Sequence, residues 1–370
     1  MQPTPVIQFG TSRFLQAHAA LFISDAMERG QDAGPITVVQ TTADPTRARR
    51  LRGLVGAYPV RIEGMEGGHP MRETVTVRSV TRALSTAGDW SEVCRVFVHE
   101  ARIVLSNTAD AGFAPSEHDT APGYSQRMSY PAKLTHLLRL RFIAGGAPIQ
   151  IMPTELVSRN GDTLRRRVLE IAGERDRAFR RYLEEGVVWV NSLVDRIVSQ
   201  PLEPAGAVAE PYALWAIEDR PGLIAPCAHP AIRIVPSLAE IEALKLYVLN
   251  LGHTVLADRW LAEGGGGDVL VRHLIADPDE RARLCAVLEG EVRPAFAAAG
   301  LGERFDDYLT TTLERFANPF LDHRLADIAE NHAQKIERRI LALMRWGAGQ
   351  GDTSDKPVLR AIAAPLGEMA

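Results

Sequence analysis

The sequence predicts an α/β domain with a mostly parallel sheet, followed by a mainly α-helical C-terminal domain. Between residues 6 and 190, short apolar and β-branched runs alternate with segments of helical spacing. This alternation is typical of parallel strands joined by crossover helices. From about residue 237 onward, long helical periodicities replace the β-branched runs. We therefore expect a domain boundary near Pro236, with domains at 1–236 and 237–370.

The N-terminal part begins with a β-α-β unit. Val6 to Gly10 predicts a short buried strand that runs into a turn, and Phe14 to Glu28 has the apolar spacing of a helix. The β-branched segment Ile36 to Gln40 predicts a second strand. A further helix is predicted from Pro45 to Leu54. Such a unit indicates a parallel α/β domain.

The remaining elements follow from the same two periodicities. Strands at 60–63 and 74–80 flank the Gly64 to Gly68 loop, which predicts a hairpin outside the central sheet. Further strands are predicted at 103–107, 149–152 and 187–190, and further helices at 91–100, 132–142 and 160–170. The C-terminal helices are predicted at 241–261, 268–274, 278–296, 304–316 and 323–344, with a short final helix after Gly347.

Composition excludes several classes of protein. The 370 residues carry a net charge of -4, so there is no basic field for nucleic acid. No apolar segment approaches the length of a membrane span, and the first residues lack the pattern of a signal peptide. The three cysteines, Cys94, Cys227 and Cys285, have neither metal-site nor disulfide spacing. We expect a cytoplasmic protein without a bound metal, a membrane partner or a nucleic-acid partner.

The turn after the first strand is a candidate dinucleotide site. Gly10 to His18 leaves the strand and opens the first helix, where a Rossmann-like domain binds the pyrophosphate of a dinucleotide. The G-x-G-x-x-G pattern is degenerate, because Ser12 takes the second glycine position and no third glycine follows. On this motif alone, a plain strand-turn-helix is the favoured alternative. The candidate cofactor contacts are Gly10, Thr11, Ser12, Arg13 and Phe14.

Two other strand ends add candidates to the same site. In NAD enzymes an acid near the end of the second strand binds the adenosine ribose. Here that segment offers Thr42 and a late Asp44, with Arg47 and Arg49 close behind, so the choice between NAD and NADP stays open. Ser106 and Asn107 end another buried strand, where the ligand crevice of such a sheet lies, although a polar turn is the alternative.

A lysine, an asparagine and a histidine interrupt the apolar run from Leu244 to Thr254. A buried lysine loses its proton more readily than an exposed one, and amide or imidazole groups orient a hydroxyl or polarise a carbonyl. At about 100° per residue, Asn250 and Lys245 lie about 60° and 80° from His253, so all three share one side of a helix. An amphipathic helix with a snorkelling lysine is an equally weighted alternative.

Taken in order, these segments resemble the polyol-specific long-chain dehydrogenases, also called the mannitol dehydrogenase family. Gly10 to His18 is similar to the family's opening motif, and Asn191 to Ile197 is similar to its N-S-[ML]-V-D-R-I element. Lys245, Asn250 and His253 match its catalytic K-x-x-x-x-N-x-x-H signature. The branch that reduces keto-hexuronates is similar in further segments, at 8–10, 106–112, 131–135, 153–162, 214–218 and 315–320.

The resemblance implies an NAD(P)-dependent, metal-independent oxidoreductase, with NAD as the expected cofactor. Its reaction would interconvert a keto-hexuronate and its aldonate, either tagaturonate with altronate or fructuronate with mannonate. Lys245 would be the general acid/base, while Asn191 and Asn250 would donate hydrogen bonds to the reacting oxygen. His253 would hold a neighbouring hydroxyl. A neutral-polyol (mannitol-type) 2-dehydrogenase and a catalytically silent dinucleotide-binding sensor are the alternatives.

Four further residues are candidates for substrate contact. Glu242 lies one helical turn before Lys245, although an ordinary surface pair explains it equally well. Arg315 is suited to a carboxylate, with a structural arginine as the alternative. Asp219 and His323 are weaker candidates. The expected partner is a small sugar acid or polyol, and the expected assembly is a monomer or a small homo-oligomer.

Overall fold

The computed structural model of the chain describes residues 2–67, 69–108 and 113–367. They form two compact units. The first unit comprises Met1–Ile62 and Arg72–Leu238, and the second comprises Glu63–Met71 and Ala239–Ala370. The segment Glu63–Met71, at the tip of a β-hairpin, thus belongs to the second unit. The predicted single boundary near Pro236 placed this segment in the first domain.

The strands lie in the first 235 residues of the described chain. They are β1 (Val6–Phe9), β2 (Ile36–Gln40), β3 (Tyr58–Glu66), β4 (His69–Val77), β5 (Val80–Ser85), β6 (Ile103–Ser106), β7 (Ile149–Pro153), β8 (Val187–Trp189), β9 (Ser192–Asp195), β10 (Val198–Pro201), β11 (Ala207–Ala209), β12 (Leu214–Glu218) and β13 (Ile232–Val235).

A six-stranded sheet of order β5-β2-β1-β6-β7-β8 forms the centre of the first unit. All its pairs are parallel. This order is that of a dinucleotide-binding Rossmann fold, so the predicted fold class is confirmed. The predicted hairpin lies outside this sheet, as β3 and β4 of a four-stranded sheet ordered β10-β11-β3-β4. A third sheet has the order β13-β12-β9.

One strand of the central sheet is missing from the sequence prediction. β5 pairs with β2 at the edge of the sheet, whereas the prediction ended a hairpin strand at Val80. Its residues alternate between buried and partly exposed, because an edge strand is less covered than the central strands. Only a short loop separates β4 from β5, so the sequence pattern does not reveal that the chain passes from the four-stranded sheet to the central sheet.

The helices of the first unit cover the central sheet. They are α1 (Arg13–Gln16), α2 (Ala19–Glu28), α3 (Ala48–Gly53), α4 (Trp90–His99), α5 (Tyr130–Ile143), α6 (Asn160–Ala172) and α7 (Arg177–Arg181). Fully buried residues of strands and helices, among them Ile7, Val104, Phe97, Leu134 and Leu164, belong to one apolar cluster. Each such side chain contributes about 1.5–3 kcal/mol when removed from water.

The predicted helix from Phe14 to Glu28 is wrong in its continuity, because the chain breaks it at Ala17 and His18. His18 has a non-helical backbone, with φ -127° and ψ -99°. Its buried ring shares a 3.0 Å hydrogen bond between Nε2 and the carbonyl oxygen of Leu214, and it stacks on Phe14. The tertiary contacts of this ring hold the break.

The second unit is helical. Its helices are α8 (Ala239–Leu244), α9 (Leu251–Ala262), α10 (Val271–Ala276), α11 (Pro278–Val287), α12 (Arg293–Ala298), α13 (Gly302–Phe316), α14 (Leu325–Ala329), α15 (His332–Lys335), α16 (Ala342–Gly349) and α17 (Pro357–Gly367). Wide π turns join α8 to α9, α11 to α12 and α15 to α16, at Lys245–Asn250, Leu288–Val292 and Ile336–Leu341.

The predicted helix over 323–344 is also interrupted. Asn331 takes a left-handed conformation with φ 53° between α14 and α15, and asparagine tolerates this region better than most residues. The unit packs around Val248, Leu251, Leu288 and Phe305, which are all fully buried. Over the described ranges, no helix has both the length and the apolarity to cross a membrane.

Candidate active site

A cavity of about 850 Å³ opens in the first unit at the carboxyl ends of β1, β2 and β6. Strand order reverses beside β1, and ligands of open parallel sheets bind at such a point. The volume is in the range of small-molecule sites. Most of the predicted cofactor contacts line this cavity: Gly10, Thr11, Ser12, Arg13, Thr42 and Asn107.

Gly10 meets two independent demands of this turn. Its φ of +121° lies in a region that residues with a side chain rarely adopt. A Cβ atom at this position would also lie 2.8 Å from the carbonyl oxygen of Asn107. The turn after β1 therefore needs a glycine, because a side chain here would meet the backbone at the end of β6.

Ser12 has a structural role where the usual fingerprint has a second glycine. Its φ of -63° and ψ of 149° are ordinary for any residue, so glycine is not required. The hydroxyl accepts a hydrogen bond from the backbone N–H of Leu15 and donates one to Oδ1 of Asn107, at 3.2 and 3.1 Å. Ser12 thus connects the turn after β1 to the end of β6.

Three predicted cofactor contacts are not among the described residues that line the cavity. Phe14 stacks on His18, with ring centroids 4.6 Å apart. Ser106 is buried and donates a hydrogen bond to Glu155. The carboxylate of Asp44 accepts hydrogen bonds from the backbone and hydroxyl of Thr46. Their assignment as cofactor contacts stays a prediction, and the predicted segment at Ala111 and Gly112 lies outside the described residues.

Lys133 is a cavity residue that the sequence analysis quoted only as part of a family motif. Its Nζ donates a hydrogen bond to the carbonyl oxygen of Thr41 at 3.2 Å. The same oxygen accepts hydrogen bonds from Gln126 and Thr86, so it fixes the loop after β2. Burial lowers the pKa of Lys133 to about 8, which leaves the ammonium largely charged at neutral pH.

Glu155 is a second residue that the sequence analysis did not single out. It lies just beyond β7 and is almost fully buried. Its carboxylate accepts hydrogen bonds from Ser106 and from the backbone and hydroxyl of Thr108. Burial raises the pKa of Glu155, although these hydrogen bonds act in the opposite direction. The carboxylate fixes the carboxyl end of β6 beside the cavity.

Asn191 belongs to a polar cluster in the first unit. Its Nδ2 donates hydrogen bonds to Oδ2 of Asp162 at 3.0 Å and to Oε2 of Glu218 at 2.7 Å. Its Oδ1 accepts the backbone N–H of Asp162. Arg220 also contacts Glu218, at 3.0 Å. Both amide hydrogens of Asn191 are therefore engaged, and donating to a substrate oxygen requires the exchange of one of these bonds.

The predicted catalytic residues of the second unit lie around a π turn. Lys245 begins this turn and Asn250 ends it. In an α-helix two residues five positions apart would lie about 140° from each other at 100° per residue. A π turn has hydrogen bonds from residue i to i+5, so Lys245 and Asn250 come onto the same face. Both side chains are half-buried.

His253 follows in α9 and is buried between aromatic rings. Its ring centroid lies 4.4 Å from that of Phe316 and 4.5 Å from that of His323. Within the described part of the chain its Nε2 has no hydrogen-bond partner. Burial lowers the pKa of His253 well below its usual value, and the adjacent His323 lowers it further. The imidazole is therefore neutral at neutral pH.

Three fixed cations also act on His253. Arg315, Arg339 and Lys335 each lower the pKa of the imidazole through their positive charge. Arg315 is buried in α13, and its contact with substrate stays a prediction, whereas the sequence did not point to Arg339 or Lys335. Arg339 donates hydrogen bonds to the carbonyl oxygen of Asn250 and the hydroxyl of Thr254, and Lys335 donates one to the carbonyl oxygen of Ile328.

The other substrate candidates are less distinctive. Glu242 is half-buried in α8, and Asp219 is exposed just after β12. Their predicted roles stay predictions. Among the described residues, no group of three or more His, Cys, Asp or Glu side chains is placed to hold a metal ion. A second cavity, of about 640 Å³, lies between α9, α11 and α17, and none of the predicted site residues lines it.

The chain is similar to known dehydrogenases along most of its length. Altronate oxidoreductase of Bacillus subtilis (strain 168) is 28% identical over 373 residues, covering 94% of this chain and 76% of that protein. Altronate oxidoreductase of Escherichia coli (strain K12 / MC4100 / BW2952) is 29% identical over 395 residues, covering 98% of this chain and 79% of that protein.

Solved structures share the fold at lower identity. Pseudomonas fluorescens mannitol 2-dehydrogenase, in a ternary complex with NAD and D-mannitol, has a TM-score of 0.80 at 19% identity. The alignment covers 98% of this chain and 78% of that one. D-sorbitol dehydrogenase in substrate-free form has a TM-score of 0.76 at 20% identity, covering 92% of this chain and 75% of that one.

The two parts of the chain match two models of one family. Residues 4–225 match the mannitol dehydrogenase Rossmann domain, and residues 237–366 match the mannitol dehydrogenase C-terminal domain. The resemblance inferred from the ordered motifs is thereby confirmed. The chain belongs to the mannitol dehydrogenase family and is an oxidoreductase of that family.

Proposed function

We propose that the protein is an NAD(P)-dependent oxidoreductase that interconverts a keto-hexuronate and its aldonate. The pair is tagaturonate with altronate or fructuronate with mannonate. The observation that carries this proposal is the positive charge beside His253 in the second unit, where Arg339 donates hydrogen bonds to Asn250 and Thr254 and Arg315 and Arg339 both lower the pKa of the imidazole. Relatives named altronate oxidoreductase, matched over nearly the whole chain, support the same substrate class.

The charge argument separates a sugar acid from a neutral polyol. A hexuronate carries a carboxylate, and arginine binds a carboxylate through a planar fork of N–H donors. Arg315 is buried and Arg339 is half-buried, so solvent screens their charge less than it does at the surface. A neutral polyol would gain nothing from this field. The cluster therefore favours the anionic substrate.

The proposed proton transfer uses the face of the π turn. Lys245 gives a proton to the forming alkoxide during reduction and takes it back during oxidation. Asn250, on the same face, donates a hydrogen bond to the reacting oxygen, and Asn191 donates another after exchanging one of its carboxylate partners. His253, held neutral, binds a neighbouring substrate hydroxyl.

The cavity of the first unit fits a dinucleotide. The turn after β1, at Gly10 to Ser12, lines this cavity, and Arg13 and Lys133 supply positive charge for a pyrophosphate. When bound, the nicotinamide supplies or accepts the hydride, and the protein aligns and protonates. The NAD in the mannitol 2-dehydrogenase complex supports this class of cofactor. Cytoplasmic location and a monomer or small homo-oligomer stay predictions.

A substrate panel tests the proposal. The purified chain is assayed with tagaturonate, fructuronate, altronate, mannonate, fructose and mannitol, each with both cofactors, by following the absorbance of the reduced nicotinamide. We expect kcat/KM for a keto-hexuronate to exceed that for fructose by at least about 100-fold, since one buried carboxylate-arginine contact contributes about 3 kcal/mol. Activity confined to mannitol or fructose would establish the neutral-polyol alternative. Cofactor binding without turnover would establish the sensor.

A further inference from the structure

The cation-rich wall of the first-unit cavity points to the form of the cofactor. We propose that Arg47 and Arg50 bind the 2′-phosphate of NADP(H), so that the protein prefers the 2′-phosphorylated dinucleotide over NAD(H). This inference rests on the proposed dinucleotide-dependent function and goes beyond it. It concerns only residues of the first unit, at the carboxyl end of β2.

The charges that line the cavity have one sign. Arg13, Arg47, Arg50 and Lys133 all line it. Among the described lining residues there is no aspartate or glutamate. A site that binds an unmodified ribose usually presents a carboxylate to the 2′-hydroxyl, whereas an arginine accommodates a 2′-phosphate. The described lining residues therefore carry the positive charge expected of a site for a 2′-phosphate.

Asp44 is the acidic residue nearest to the position that binds the adenosine ribose in NAD enzymes, but its carboxylate is engaged within its own turn. Oδ1 accepts hydrogen bonds from the backbone N–H and hydroxyl of Thr46, at 2.9 and 2.6 Å. Oδ2 lies 3.1 Å from Nε of Arg47. Gln40 holds the same loop by donating hydrogen bonds to the carbonyl oxygens of Thr42 and Asp44.

The two arginines are spaced to act together. Arg47 and Arg50 are three residues apart across the start of α3, so their side chains emerge on the same side of the helix. The contact between Arg47 and Asp44 is largely solvent-exposed, and such pairs are weak. Within the described part of the chain, Arg50 has no acidic partner within 4 Å. A phosphate dianion can therefore recruit both guanidinium groups.

The same helix supplies matched controls. Arg49 and Arg52 are exposed and are not among the described lining residues. If these arginines formed only a solvated basic surface, Arg49 and Arg52 would contribute to anion binding about as much as Arg47 and Arg50 do. If Arg47 and Arg50 form a 2′-phosphate site, only their removal will change the discrimination between the two ribose forms.

Fragment binding tests this without relying on turnover. Isothermal titration calorimetry on the full chain compares adenosine 2′,5′-bisphosphate with 5′-AMP at fixed pH and about 0.15 M salt. We expect the bisphosphate to bind at least about 10-fold more tightly, since a charge-assisted hydrogen bond to a phosphate corresponds to about that ratio. Arg50→Ala and Arg47→Ala should reduce this ratio toward one, while Arg52→Ala should leave it unchanged.

Other outcomes overturn the inference in distinguishable ways. Equal affinities for the two fragments, or an equal loss with Arg52→Ala, would refute the 2′-phosphate site. If NADH then supports keto-hexuronate reduction as well as NADPH does, the proposed function still stands. If neither fragment nor either intact cofactor binds, the dinucleotide-dependent function fails together with the inference. Circular dichroism of each variant confirms that the fold is retained.

Discussion

The guanidinium group of Arg339 donates a hydrogen bond to the backbone carbonyl oxygen of Asn250, at 3.0 Å. The hydroxyl of Thr254 donates to the same oxygen, also at 3.0 Å. The residue that ends the π turn is thereby connected to a residue 89 positions later in the chain. Both partners of Arg339 are neutral acceptors, so the contacts hold its charge in place without neutralising it.

Replacing Arg339 with methionine keeps much of the side-chain volume and removes the charge. We expect kcat/KM for a keto-hexuronate to fall about 10- to 100-fold, mainly through KM, because a half-buried charge that attracts the substrate is lost. Arg338→Met is the matched control, since the neighbouring Arg338 is exposed. Steady-state kinetics of the two variants with a keto-hexuronate and with fructose provide the measurement. An equal effect on both substrates would show that Arg339 acts only structurally.

Lys245→Ala tests the proposed acid/base. We expect turnover to fall by about 10²- to 10⁴-fold, which is the usual contribution of a positioned proton donor. Because Lys245 is half-buried at the start of the π turn, the fold and cofactor affinity should persist. Rapid kinetics, circular dichroism and cofactor titration provide the measurements. Partial rescue of the variant by a small primary amine would support proton transfer, and near-normal turnover would exclude it.

Gly10→Ala tests the close approach of the turn after β1 to the end of β6. The new Cβ atom would lie 2.8 Å from the carbonyl oxygen of Asn107, at a φ of +121°. We expect a loss of about 1–3 kcal/mol in the free energy of unfolding, together with weaker cofactor binding. Gly88→Ala is the control, because a Cβ there meets no atom within 4 Å. Chemical denaturation and calorimetry compare the two, and equal stabilities would contradict the steric argument.

Glu100 makes the stability of the first unit depend on pH in the acidic range. Burial raises the pKa of this carboxyl, but hydrogen bonds from Thr4, Arg95 and Arg82 outweigh it and lower the pKa to about 2. The unfolded chain protonates Glu100 at a higher pH than the folded protein does. Its stabilising contribution is therefore present above about pH 4.5 and is lost as the pH falls toward 2.

Substituting Glu100→Gln should lower the free energy of unfolding at pH 7 and make its decline between pH 5 and pH 3 shallower. Glu28→Gln, at an exposed position in α2, is the control and should match the parent protein. Denaturant titrations at several pH values in this interval provide the measurement. An unchanged slope for Glu100→Gln would show that the hydrogen bonds of Glu100 do not cause the loss of stability in acid.

Local patterns determined much of the fold. The strands β1, β2, β6, β7 and β8 were predictable because consecutive apolar and β-branched residues, ended by turn signals, fit a buried parallel sheet. The helical C-terminal part was predictable from its periodicity. The edge strand β5 was not, since its half-covered residues resemble the preceding hairpin. The break at His18 was also hidden, because its cause is a hydrogen bond to a carbonyl 196 residues away.

The sequence by itself determined the family and the chemical inventory, since motifs such as Lys245-x-x-x-x-Asn250-x-x-His253 are local and keep their order along the chain. Tertiary structure alone decided which groups surround them. Arg315 acts on His253 from α13, whereas Lys335 and Arg339 act from the end of α15 and the π turn that follows it, and no spacing rule links these segments to α9. The π turn likewise aligns Lys245 with Asn250 against the α-helical angle. Packing brings together charged residues that are distant in the sequence. Their separation in space and their burial then determine how strongly they interact.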